Sequence, residues 1–166
     1  TPALDGLRAV AVLAVMLYHG GVAIVGGGFL GVDVFFVLSG FLITTLLLLE
    51  FEANDRLDLP AFWGRRARRL LPALFLVLVA VLIYSAFLAG EAATSVRLDA
   101  LATLFYVSNW WFVLSGNSYF EQFQDPSPLT HTWTLAIEEQ WYFILPLMML
   151  LVLPRLRSRK ALGLGL

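Results

Sequence analysis

Two ionisable side chains interrupt the apolar run LDGLRAVAVLAVMLYHGG: Arg8 and His19. On an α-helix the interval between them is a rise of about 16 Å and close to three whole turns, so both point to one side. An arginine at a helix centre costs about 2.5–3.5 kcal/mol in hydrocarbon, so this face should line a bundle interior or an aqueous cavity. Taken singly, Arg8 also reads as a snorkelling end residue paired with Asp5, and His19 as a satisfied buried histidine. The pair on one face suggests chemistry: a cation near one end, and an imidazole suited to general-base work deeper in.

Three further groups bear on that face. The glycine-rich stretch GGVAIVGGGFLG reads as a turn centred near Gly26, which brings His19 and Asp33 to similar depth, where the acid could orient the imidazole. Asp33 also reads as a helix N-terminal acid favoured by the helix dipole. In HTWTLAIEEQWYFILP, Glu138 and Glu139 fall one to two turns inside the outer end of an apolar helix, at a depth comparable with His19, with His131 just before it. Adjacent acids cannot face the same way, so one needs Gln140, a backbone group or a proton to satisfy it. A capping Thr132 or Thr134 with a downstream Glu accounts for only part of the pattern. The run FWGRRARRLLP carries Arg65, Arg66, Arg68 and Arg69, which anchor a cytoplasmic face and, with Arg8, could hold a phosphate-rich ligand through bidentate contacts. Ser39 in FFVLSGFLI reads first as a small packing residue; as a nucleophile it lacks a local base.

These residues need a membrane scaffold. Of the 166 residues, 60% are hydrophobic and 14% charged, and the mean hydropathy is +0.82, far above a soluble domain. The net charge of −1 gives no sign of nucleic acid as a partner in either direction, and the absence of cysteine rules out a thiol nucleophile, a disulfide framework or a Cys-ligated metal within this chain. The fold class expected is all-α, a polytopic transmembrane helix bundle. Four spans are expected, at about 6–26, 30–50, 70–90 and 133–154, with a cytoplasmic basic loop over 51–69. Basic residues cluster in that loop and after the last span, at Arg155, Arg157, Arg159 and Lys160, and are absent from 20–32 and 116–132. Both clusters therefore face the cytoplasm, as does the N-terminus. An even number of crossings must separate them, which makes 100–118 a re-entrant or interfacial segment rather than a fifth span. The chain starts without Met and is expected to be part of a larger bundle.

Four blocks in order, LDGLRAVAVLAVMLYH, GVDVFFVLSGFLIT, FWGRRARRLLP and HTWTLAIEEQWYFILP, resemble the N-terminal part of the acyltransferase 3 family, multi-pass bacterial membrane acyltransferases. Its Arg/Lys-x10-His signature falls on Arg8 and His19, its F-x-x-S-G-F-L block on Phe36, Ser39, Gly40, Phe41 and Leu42, and its R-R-x-x-R-x-x-P block on Arg65, Arg66, Arg69 and Pro72. Its S-L-x-x-E-E-Q-F-Y block runs from Thr134 to Tyr142, with Thr134 and Trp141 replacing the common Ser and Phe.

The resemblance implies a bacterial cytoplasmic (inner) membrane enzyme that moves an acyl group, acetyl foremost, from cytoplasmic acyl-CoA to a hydroxyl of an extracytoplasmic glycan or lipid-linked sugar. Acyl-CoA is a donor substrate here; no bound cofactor or metal is assigned. In this reading His19, Asp33, Glu138 and Glu139 are the catalytic candidates. Arg8, Arg65, Arg66, Arg69, Ser39, His131 and Trp133 are the substrate-binding ones. The rival class is a transporter or proton-relay module, which uses the same intramembrane charges but gives the arginine cluster little to do.

Overall fold

The computed structural model describes residues 2–87, 90–115 and 127–161, and every regular element among them is helical. Residues 116–118 of the expected re-entrant segment lie outside the described residues, as do the side chains of Arg157, Arg159 and Lys160. The chain divides into two compact units, Thr1–Leu57 with Ile144–Leu166, and Asp58–Phe143.

In the first unit, α1 (Pro2–His19) and α2 (Gly31–Asn54) pack on each other, with short 3-10 turns at Ala23–Val25 and Gly28–Leu30 between them. Helix α1 stops at His19 rather than continuing to 26. Gly20 and Gly21 follow it, and Gly21 takes a left-handed conformation, φ 73°, that a side chain would strain. The glycines beyond do more than turn the chain. A Cβ on Gly28 would strike the Ala14 carbonyl, and one on Gly31 the Ala11 carbonyl and the Val15 side chain. The two helices therefore approach backbone to backbone, as small residues permit in apolar surroundings. From that contact the buried stripe of α2 runs through Gly31, Ser39, Ile43 and Leu47 at helical spacing.

The second unit opens with α3 (Leu59–Ser85). The Asp58 carboxylate accepts the Ala61 N–H at 3.0 Å, and Pro60 sits in the first turn, where its missing N–H costs nothing. Helix formation thus reaches into the stretch expected as a basic loop over 51–69: α2 runs to Asn54, and only residues 55–58 separate it from α3. The arginines of FWGRRARRLLP are helical. Next come α4 (Gly90–Leu104) and α5 (Ser108–Leu114), and then α6 (Thr132–Ala161), whose residues up to Phe143 belong to this unit. Residues 100–115 are therefore not one helix. The break falls at Tyr106, a left-handed non-glycine residue with φ 54°.

Leu74, Leu78 and Val81 of α3 bury against Val96 and Ala100 of α4 and against Leu129, which is fully enclosed in the turn before α6. That turn tolerates burial because its polar groups satisfy one another: Thr130 Oγ1 donates to the Ser127 carbonyl at 2.8 Å and Thr132 Oγ1 to the Leu129 carbonyl at 2.7 Å. Helices α3 and α6 run antiparallel, since Trp63 meets Tyr142 while Arg66 meets Glu139. In this register α6 begins level with the middle of α3.

Among the described residues, three helical stretches are long and apolar enough to cross a membrane: Gly28–Asn54, Leu59–Ser85 and Thr132–Leu156.

Candidate active site

In the second unit the first turns of α6 present their polar residues to different partners. Glu139 Oε1 accepts Arg66 Nη2 at 2.6 Å, and the side chains are 16% and 26% exposed respectively. The Arg66 guanidinium also lies over the Tyr142 ring, 3.2 Å from its centroid. One helical turn beyond Glu138, the buried Tyr142 donates its hydroxyl to Glu138 Oε1 at 2.6 Å. Gln140 turns elsewhere: its amide donates to the Tyr106 carbonyl at 2.8 Å and exchanges hydrogen bonds with the Asn109 amide at 2.9 and 3.3 Å.

Adjacent acids on a helix diverge, and each here finds its own partner. Glu139 holds a cation. Glu138 is oriented by a phenol at one oxygen. The threonines before them return their hydroxyls to preceding carbonyls instead of capping the acids: Thr132 to Leu129, and Thr134 to His131 at 2.9 Å.

The arginine run splits. Arg65 and Arg69 are exposed, as is Arg68, while Arg66 turns inward to Glu139, with its Nε buried and without a partner among the described residues. Helix phase accounts for two of these: Arg66 lies on the stripe of the buried Leu59, Phe62 and Leu74, and Arg65 and Arg68 lie off it, while Arg69, one turn beyond Arg66, is exposed. The acids lie within two turns of the start of α6, and because that start is level with the middle of α3, they face the arginine-bearing end of α3. His131 is exposed and Trp133 half-buried at the head of α6.

In the first unit, His19 Nδ1 lies 2.8 Å from the Val15 carbonyl oxygen. A carbonyl only accepts, so Nδ1 carries the proton and Nε2 is the basic nitrogen of the neutral ring. The orienting contact at Nδ1 is thus a backbone carbonyl one turn back. Asp33 is exposed in the first turn of α2, where an acid favours the helix N-terminus. The Arg8 guanidinium lies over the Phe35 ring, 4.8 Å from its centroid, across the α1–α2 contact. Ser39 is 3% exposed, and its hydroxyl has no partner among the described residues.

Among the described residues no group of three or more His, Asp or Glu is placed to hold a metal ion. Tyr142, Trp63, Asn109, Asp99 and Trp111, none of them a candidate from sequence, also take part in the side-chain contacts of the second unit.

The family described as an acyltransferase domain, acyltransferase 3, matches residues 1–166. The chain is 51% identical over 170 residues to the peptidoglycan O-acetyltransferase OatA of Listeria monocytogenes, an alignment covering 99% of this chain and 27% of that protein. It is 46% identical over 158 residues to the O-acetyltransferase OatA of Staphylococcus aureus, covering 95% of this chain and 26% of the relative. The chain therefore spans about a quarter of the length of the curated relatives it matches. No solved structure matches it.

Proposed function

Because the chain belongs to the acyltransferase 3 family, we propose that the intact protein transfers an acetyl group from cytoplasmic acetyl-CoA to a hydroxyl of the peptidoglycan glycan. The observation that carries this reading is the 51% identity, over nearly the whole chain, to a protein named for peptidoglycan O-acetylation. In this reading four spans are used, α1 being the first, with the N-terminus cytoplasmic and the α4–α5 elbow re-entrant.

Arg8, Arg65 and Arg69 hold the phosphates of the donor at the inner face. Arg66 is committed to Glu139 and contributes through the carboxylate pair instead. His19 Nε2 takes the proton from the acceptor hydroxyl as its oxygen attacks the thioester carbonyl; the C–S bond breaks, and the departing thiolate receives that proton. A covalent route, with the acetyl group resting on Nε2 before transfer, uses the same nitrogen. Glu138 and Glu139 supply the acid–base environment, and Asp33, Ser39, His131 and Trp133 bind or orient substrate.

The test is His19→Ala in the intact protein, with glycan O-acetylation read by mass spectrometry. Loss of acetylation at normal expression is the expected result. Normal acetylation at normal expression overturns the assignment.

A further inference from the structure

The second unit carries a buried acid that the reading above does not use. Asp99 on α4 is 1% exposed; its Oδ1 accepts the indole N–H of Trp111 at 2.8 Å, and its Oδ2 is buried without a partner among the described residues. Ser108, the first residue of α5, is fully buried, and its hydroxyl is likewise unpartnered among them. Trp111 follows Ser108 by three positions, so both lie on the face of α5 turned toward α4. A half-satisfied acid weakens a core that an apolar residue would fill without that cost. Stability alone therefore gives no reason for an acid here, whereas the bond to Trp111 does.

Helix α5 has seven residues, too few to persist through its own backbone bonds, so tertiary contacts hold it, the buried Phe112 and side-chain bonds together. Two such side-chain ties stand among the described residues. Asp99 holds Trp111 to α4, and Asn109, two residues earlier, exchanges amide bonds with Gln140 of α6. Gln140 also grips the carbonyl of the left-handed Tyr106 at the elbow, and it directly follows Glu139.

We propose that Asp99 is a positioning residue for the Glu138–Glu139 turn: by fixing Trp111 it seats α5, and α5 through Asn109 sets the register and orientation of Gln140 and the acids before it. The link to activity rests on the proposed function; the link to geometry does not.

The experiment uses the intact protein in nanodiscs, spin-labelled at Trp110→Cys and Trp141→Cys, both exposed positions at 61% and 57%, in a background otherwise free of cysteine. Asp99→Ala and Trp111→Phe, which break one bond from its two sides, should each broaden the inter-label distance distribution. They should also lower kcat for acetyl transfer by about 10- to 100-fold, the scale of an approximately 1 Å misplacement, with KM for acetyl-CoA unchanged. Asp99→Asn keeps an acceptor for the indole and should restore both the narrow distribution and most of kcat. A wild-type distribution and wild-type kcat in both Asp99→Ala and Trp111→Phe overturn the proposal, as does an Asp99→Asn variant as impaired as Asp99→Ala with unaltered distances. If Asp99→Ala does not fold, Trp111→Phe against Asp99→Asn decides. If the wild type transfers no acetyl group, the proposed function fails and the distance measurement alone decides the positioning role.

Discussion

Arg66 and Glu139, 73 positions apart in sequence, meet at 2.6 Å in the second unit, and the same guanidinium rests on the ring of Tyr142. The contact joins α3 to α6 at one level and neutralises one of two neighbouring acids within an apolar helix. The other acid, Glu138, is left to the Tyr142 hydroxyl. One tyrosine thus links both carboxylates, by its face to the cation that holds Glu139 and by its edge to Glu138.

Removing one member of the ion pair should cost more than removing both. Arg66→Met strands Glu139, and Glu139→Leu strands the guanidinium, each losing about 2 kcal/mol. This falls below the ~3–5 kcal/mol of a fully enclosed pair because the Arg66 side chain is 26% exposed. The double variant should recover most of the loss. Thermal unfolding of the four proteins in one detergent gives the cycle, and additive losses would mean that the two groups are not coupled.

Tyr142→Phe keeps the ring under Arg66 and removes the hydrogen bond to Glu138. Stability should fall by about 1 kcal/mol, while acetyl transfer falls by about tenfold as Glu138 loses its orientation. Tyr142→Leu removes the ring as well and should unfold at a clearly lower temperature than Tyr142→Phe. Equal unfolding temperatures for the two variants would show that the ring contact with Arg66 contributes nothing.

The α1–α2 contact gives a prediction of opposite signs at two glycines. Gly31→Ala drives a methyl into the Ala11 carbonyl and should destabilise by about 1–3 kcal/mol. Gly40→Ala meets nothing within 4 Å inside the same helix, and relief of backbone entropy should stabilise it by about 0.5–1 kcal/mol. Unfolding temperatures that move the same way for both would contradict the close approach.

Much of this was legible in the sequence, and the gaps have physical causes. Apolar runs marked the helices, because length and composition alone decide whether a segment can cross lipid. The need of Glu138 and Glu139 for separate partners followed from their adjacency. The partners themselves are long-range contacts that local spacing does not encode. Arg66 was grouped with its neighbours because a basic run signals orientation and hides phase. Yet the stripe Leu59, Phe62, Arg66 was present, and so was the stripe Val96, Asp99, Thr103, which carries Asp99 into the core. The interval between α2 and α3 is only four residues because Asp58 and Pro60 together form a helix start, a signal that the high charge of 51–69 masks.

A proline inside α6 offers the sharpest test of how α3 and α6 are joined. In an α-helix the Tyr142 carbonyl would accept the N–H four residues on, but that residue is Pro146, which has none. The Trp63 indole of α3 supplies the missing donor, at 3.1 Å from the Tyr142 oxygen. Trp63 also stacks on Phe143, with centroids 5.2 Å apart. Trp63→Phe keeps an aromatic ring for the stack and removes the donor, so a carbonyl in apolar surroundings loses its partner, at about 1–3 kcal/mol. Pro146→Ala returns a backbone N–H to that carbonyl. In the Pro146→Ala background, Trp63→Phe should therefore cost no more than a few tenths of a kcal/mol. Thermal unfolding of the two single variants and the double variant measures this. An undiminished cost of Trp63→Phe in the alanine background would show that the indole acts through its ring alone.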